Sequence, residues 1–412
     1  MAKNKENPSE RLFAELCAKQ YLKGFVFHSP KYNDPTEKEA GDIILWLRTF
    51  LIAFEVVWRD PSSKGGTKQF IKRIGEKRKQ LESDFKVYSE NADKLELINE
   101  AGKRINYEKG YFHPDNFVGV IIVDCDSKLE NIHYDSYKKI NYSNFPIAVM
   151  TRNDFVDLLI EIDTVSDLLY YLKDRHKFIN SVFQECPNIF INLNLRTERA
   201  LIALYKKQSN SFVGYSCSQL SKNNIWDDYK REFRDKIRAR NEENKRTKIL
   251  DQLVAYLSDN TDKSEIMPLI AWEIGIQTRR ERVALADKVI EAFQGLKDGA
   301  KPRIFAYLSQ TTRCWSIFYF QYGEEAGKLE DNLIEMAQLK LFKEMKELSF
   351  EYSVFGYGFK KSIIHTGNSF DEIVVCIEDA CNYPVITDSK YKKSLNYFGD
   401  PKRKVIKEFP GN

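Results

Sequence analysis

The 412-residue sequence predicts an α/β protein in three parts. These are an α/β domain with a mixed sheet flanked by helices (1–175), a mainly helical region (176–300) and an α+β region (301–412). Three observations predict it. The chain is too long for one ordinary core, so two or three domains are expected. The first 175 residues run through helix, strands, helix, strand, strand and helix patterns, the order of an α/β unit. From about Arg175 to Ala300 helical spacing dominates, and strand-like aromatic runs return only afterwards.

The first helix is marked at its start. Asn7 can cap it, Pro8 suits its first position, and Glu10 completes a capping box. Leu12, Phe13, Leu16, Cys17 and Tyr21 then recur at helical spacing. Gly24 ends this helix, and VFHSPKYNDP reads as an irregular segment. Two apolar runs, Asp42–Leu47 and Phe50–Trp58, are separated only by Arg48-Thr49 and read as a hairpin. DPSSKGG is a loop, and Thr67 can cap a basic helix from Lys68 to about Tyr88. FVGVIIVD (117–124) has the continuous apolar character of a buried strand. Phe145–Met150 is a second such run, and a helix over 153–173 follows. Within it Asp163 or Thr164 can cap a stretch that packs Leu168, Leu169 and Leu172 inward. Asp227–Lys248 and Gln277–Gly295 are helical patterns. The last third holds a strand at Cys314–Tyr322, a helix at Glu325–Leu348, strands at Tyr352–Ile364 and Phe370–Glu378, and a basic tail, Tyr391–Lys407.

Composition narrows the class. With 42% hydrophobic and 30% charged residues the chain is neither disordered nor fibrous. A net charge of +4 is small for this length, so any surface for nucleic acid must be local. The seven cysteines form no C-x-x-C pair and read as reduced thiols; the five dispersed histidines give no zinc pattern. The opening MAKNKENPSERL is not a signal peptide, and Ile43–Trp58, interrupted by Arg48 and Glu55, is too short to span a bilayer. A cytoplasmic protein without a membrane partner is expected.

Chemistry concentrates in GDIILWLRTFLIAFEVVWRD. Acids are depleted from strands, and a buried carboxylate is costly unless it meets a cation or donors. Yet Asp42 opens the first strand and Glu55 lies within the second, thirteen positions on. In a hairpin both fall near the same open end. Two carboxylates there suit magnesium or manganese, with water filling the other positions. Such an ion can polarise a phosphodiester and lower the pKa of a bound water.

An acid after Gly at a strand start, followed by an apolar strand bearing a second acid, resembles the signature of the PD-(D/E)XK, or restriction-endonuclease-like, nuclease superfamily. Residues 8–88 also show the family's order of helix, loop, paired strands and helix. The opening AELCAKQYLKGF is similar to the first helix of resolvase-like members, which sets Glu15, or next Glu10, at the family's helical acid. The helix TKQFIKRIGEKRKQL is similar to the basic, glutamine-bearing helix that flanks the family's site. The resemblance implies a metal held by Asp42, Glu55 and the Val56 carbonyl, with Glu15 assisting. It implies DNA held by Lys68, Lys72, Arg73, Lys77 and Gln80. Similar proteins are often bacterial antiviral defence effectors, acting as homodimers or with a second defence protein.

One position departs from the pattern. The family carries Lys two residues after the second acid, where this chain has Val57. Lys68 or Lys72 could supply the missing cation, the domain could be an inactive scaffold that binds DNA or a protein, or Val57 could be an inactivating substitution. The sequence thus leads to an expected magnesium-dependent DNA endonuclease, with the non-catalytic scaffold as the alternative.

Overall fold

The computed structural model describes residues 8–21, 23–33, 37–47, 49–58, 67–91, 94–100, 102, 104–105, 112–124, 145–185, 197–216, 219, 224–260, 266–297, 301–322, 328–348, 353–361 and 372–379. The DPSSKGG loop and the basic tail lie outside them. The chain divides into two units, Met1–Arg240 and Asn241–Lys407, with the division inside a helix. The 175/176 division expected from the sequence also falls within a helix, Val165–Glu185.

The first unit is α/β. After α1 (Pro8–Tyr21) come β1 (Val26–His28), β2 (Lys31–Asn33), β3 (Glu37–Glu39), β4 (Ile43–Leu47) and β5 (Phe50–Trp58). The long helix α2 (Thr67–Glu90) leads to β6 (Leu95–Ile98), β7 (Arg104–Ile105), β8 (Phe117–Asp124) and β9 (Ile147–Thr151). Helices α3 (Arg152–Glu161), α4 (Val165–Glu185), α5 (Thr197–Lys207) and α6 (Ile225–Glu232) follow, and α7 (Arg234–Arg246) spans the division.

The main sheet has the order β1-β4-β5-β8-β9. Its first two pairings are antiparallel, and β5–β8 and β8–β9 are parallel. The hairpin β4–β5 matches the sequence expectation, with Ile43 opposite Phe54. Parallel neighbours need a crossover, and α2 provides the one between β5 and β8. It packs on the face carrying Ala53 and Glu55, and its Leu81 comes so near Gly119 of β8 that an added Cβ would lie 2.9 Å away. The opposite face, where Phe54 points, meets Phe155 of α3, which also contacts Phe13 of α1.

Three local expectations change. The segment read as irregular contains β1 and β2, and β2 joins a second, small sheet ordered β3-β2-β6-β7. The single helix expected over 153–173 is two, because Thr164 starts a fresh turn by accepting the Asp167 N–H at 3.1 Å. Strand β9 begins at Ile147 and runs to Thr151, whose hydroxyl caps α3 through the Asp154 N–H.

The second unit contains α8 (Lys248–Asp259), α9 (Met267–Gly275), α10 (Arg279–Gln294), β10 (Arg303–Leu308), β11 (Trp315–Tyr322), α11 (Leu329–Leu348), β12 (Ser353–Lys361) and β13 (Glu372–Asp379). Its sheet runs β10-β11-β12-β13, and only β11–β12 is parallel, joined through α11. Thr278 and Glu281 form a capping box at the start of α10. No described helix is long and apolar enough to cross a membrane.

Candidate active site

Asp42 and Glu55 meet where the hairpin opens. With Ile43 opposite Phe54, the ladder sets Asp42 beside Glu55 at the point where β4 begins. Gly41, at φ +98, turns the chain into that strand, a conformation open to glycine but not to most side chains. The Val56 N–H lies at the edge where β4 has not started, and it donates to Asp42 Oδ2 at 2.6 Å. N–H and C=O of one strand residue face the same neighbour, so the Val56 carbonyl faces this edge too. Both acids are buried, Glu55 completely.

The cation of the site comes from α2. Lys77 Nζ lies 3.0 and 2.8 Å from the two oxygens of Asp42 and 2.6 Å from Glu55 Oε2. Two turns further along that helix Asp84, also buried, receives the Gln80 amide on Oδ1 at 2.9 Å. Glu55 Oε1 and Asp84 Oδ2 are buried and have no hydrogen-bond donor. A cavity of about 540 Å³ opens onto this cluster, with Glu39 and Glu76 on its walls.

Charge here is under tension. Burial, then the Asp42 charge, pushes the Glu55 pKa well above the usual carboxylate range against the pull of Lys77. Burial raises Asp84 to about 7. Burial also opposes the charge of Lys77, but Glu55 and Asp42 outweigh it and hold the ammonium protonated beyond its ordinary range. Three acids and one ammonium share one small volume, so further positive charge would be welcome there.

The other expected residues scatter. Glu15 is 58% exposed and pairs with Arg11 at 3.0 Å on α1. Because α1 packs on the Phe54 side of the sheet, Glu15 is not brought to the carboxylates. Lys72, expected as a replacement cation, is 78% exposed and faces Glu76 at 3.7 Å. Lys68 lies in α2 with its side chain outside the described residues. Arg73 donates to the Trp58 carbonyl at 2.8 Å, holding the end of β5 rather than presenting itself to a phosphate. Lys77 and Gln80, expected on DNA, point instead to the acids. Val57 is buried on the same face of β5 as Glu55, as the two-residue strand period requires.

Sequence reasoning missed Asp84 and the inward role of Lys77. The available signal was the spacing Lys77, Gln80, Asp84, which keeps the three on one helix face. Among the described residues no group of three or more His, Cys, Asp or Glu is arranged to hold a metal ion. The unmet oxygens of Glu55 and Asp84 nonetheless fit a hard cation, since magnesium commonly takes only one or two carboxylates and keeps its waters. Comparison with known proteins found no matching family model, no matching curated protein and no matching solved structure.

Proposed function

We propose that the first unit is a metal-dependent deoxyribonuclease, and that Lys77 supplies the cation which Val57 does not. The observation that carries this reading is one ammonium within 3.0 Å of both Asp42 and Glu55. In the resemblance drawn from the sequence, those two acids and a strand lysine form the site. Here the lysine would have moved from the strand to the facing helix, leaving Val57 as packing.

A bound magnesium or manganese ion would polarise a phosphoryl oxygen and acidify a bound water. Glu55, with its unmet oxygen, would help hold it, and the Val56 carbonyl faces the same edge. Lys77 would orient the attacking water and stabilise charge gathering on the phosphate, anchored by Asp42, whose own position the Val56 N–H holds. The acids lining the cavity repel a phosphate backbone, so DNA would approach only once the cation is seated. Exposed Lys72 and Lys79 on α2 would meet the flanking phosphates. The role we assign is that of a defence effector, working as a dimer or with a partner protein.

The test is cleavage of supercoiled plasmid by the full chain in magnesium, in manganese and in chelator, alongside Glu55→Gln. Nicking that needs the metal and disappears in Glu55→Gln is the expected outcome. A folded chain that binds DNA but cuts it in neither metal would be a scaffold instead.

A further inference from the structure

We propose that the principal protein ligands of the divalent ion are Glu55 and Asp84, and that Asp42 serves to position Lys77 rather than to bind the metal. This inference rests on the nuclease reading and divides the acids differently from the resemblance, which pairs Asp42 with Glu55.

The division follows from which oxygens are already engaged. Asp42 is the most fully engaged of the three acids: Lys77 reaches both of its oxygens, and Oδ2 also accepts the Val56 N–H. A cation binding Asp42 would have to displace the ammonium and compete with a backbone donor. Glu55 is half engaged. Its Oε2 accepts from Lys77, while Oε1 is buried with no donor. Asp84 is likewise half engaged, with Gln80 on Oδ1 and nothing on Oδ2. Leaving a buried acceptor unmet costs roughly 1–3 kcal/mol, more for a charged one, so two such oxygens in one cleft call for a donor or a cation.

The surroundings favour a small hard ion as that partner. Glu55 and Asp84 line the same cavity, which leaves room for a divalent ion and its remaining waters. Lys77 would stay on Asp42 and Glu55 Oε2, beside the ion rather than in its place.

The experiment is titration of Mn²⁺ alone, without DNA, into the full chain, Asp84→Asn and Asp42→Asn, followed by calorimetry. Asp84→Asn should weaken binding by more than about a hundredfold and Asp42→Asn by about tenfold, since outer partners of a metal site typically cost about 10–100-fold. If Asp84→Asn does not fold, Gln80→Ala decides. It removes only the donor that orients Asp84, from an exposed position, and should weaken Mn²⁺ by about tenfold. Unchanged affinity in Asp84→Asn, or in a folded Gln80→Ala, overturns this assignment. So does loss of binding in Asp42→Asn with Asp84→Asn intact. A full chain that takes up no Mn²⁺ overturns the nuclease reading as well.

Discussion

Two buried glutamates in the first unit face opposite circumstances. Glu161, at the end of α3, is fully buried and fully served. Tyr229 donates to it at 2.8 Å, Arg240 lies 3.2 Å away, and Lys230 also pairs with it. Burial alone would raise its pKa, but Arg240, then Lys230 and Tyr229, outweigh burial and hold the carboxyl below its ordinary value. Glu55 is just as buried, yet its neighbours include two more acids, one of its oxygens has no donor, and its pKa is pushed up. Burial therefore does not distinguish a site from a strut. Satisfaction does: Glu161 ties helices α6 and α7 to α3, while Glu55 keeps one buried oxygen without a donor.

The largest effect should appear when this contrast is broken from the Glu161 side. Glu161→Ala takes from the buried Arg240 guanidinium the nearer of its carboxylates, Asp163 lying 3.8 Å from Nε, and loss of one partner of a buried pair costs about 3–5 kcal/mol. Glu55→Gln relieves repulsion from Asp42 and Asp84 while Lys77 keeps Asp42, so its stability should stay within about 1 kcal/mol of the parent or rise. Urea unfolding of both variants measures the difference, and equal destabilisation would erase the distinction.

A third buried acid sharpens it. Asp154 at the start of α3 is raised by burial from 3.8 to about 7. Its folded pKa thus exceeds the unfolded one, so between about pH 4 and 7 the folded state binds the extra proton. Over that window the group makes stability fall as pH rises, by roughly 1.4 kcal/mol per unit at most. Asp154→Asn should flatten the pH dependence of unfolding there. An unaltered slope would mean that Arg199, 3.8 Å away, already neutralises it.

The smallest effect concerns the outer face of α2. With Arg73 and Lys77 turned to protein partners, only Lys72 and Lys79 of that run remain exposed for phosphate contact among the described side chains. Changing both to Glu should lower the log–log salt slope of DNA binding by about 1.8 units, at 0.9 per contact. A fall of about 2.7 units on replacing Lys72, Arg73 and Lys77 together would instead restore the full basic stripe.

Much of the site's frame was legible. Acids are rare in apolar strands, so Asp42 and Glu55 stood out, and the short Arg48-Thr49 link implied their hairpin. The strand Phe117–Asp124 was equally plain from its unbroken apolar run. What escaped notice depends on tertiary contact. Helical spacing puts Lys77 on a face of α2, but not its long side chain on the carboxylates rather than in solvent. Asp84 sat in a helix rich in charge, with nothing local to mark it as buried. Strands β2 and β3 are three residues each, Lys-Tyr-Asn and Glu-Lys-Glu, too short and polar to show alternation. Glu15 satisfied a motif spacing, yet the face on which α1 packs is decided by Phe13, Phe54 and Phe155.

The most direct measurement of the claim that Lys77 acts in place of a strand lysine is plasmid cleavage in magnesium by four chains: the parent, Lys77→Met, Val57→Lys, and the two substitutions combined. Val57 projects from β5 on the face of Glu55, so a lysine there can reach the acids that Lys77 now holds. Lys77→Met should cut about a hundredfold more slowly, on the order of 3 kcal/mol of barrier. Adding Val57→Lys to it should recover most of that loss, while Val57→Lys alone should gain little. Cleavage by Lys77→Met at the parent's rate would contradict the assignment.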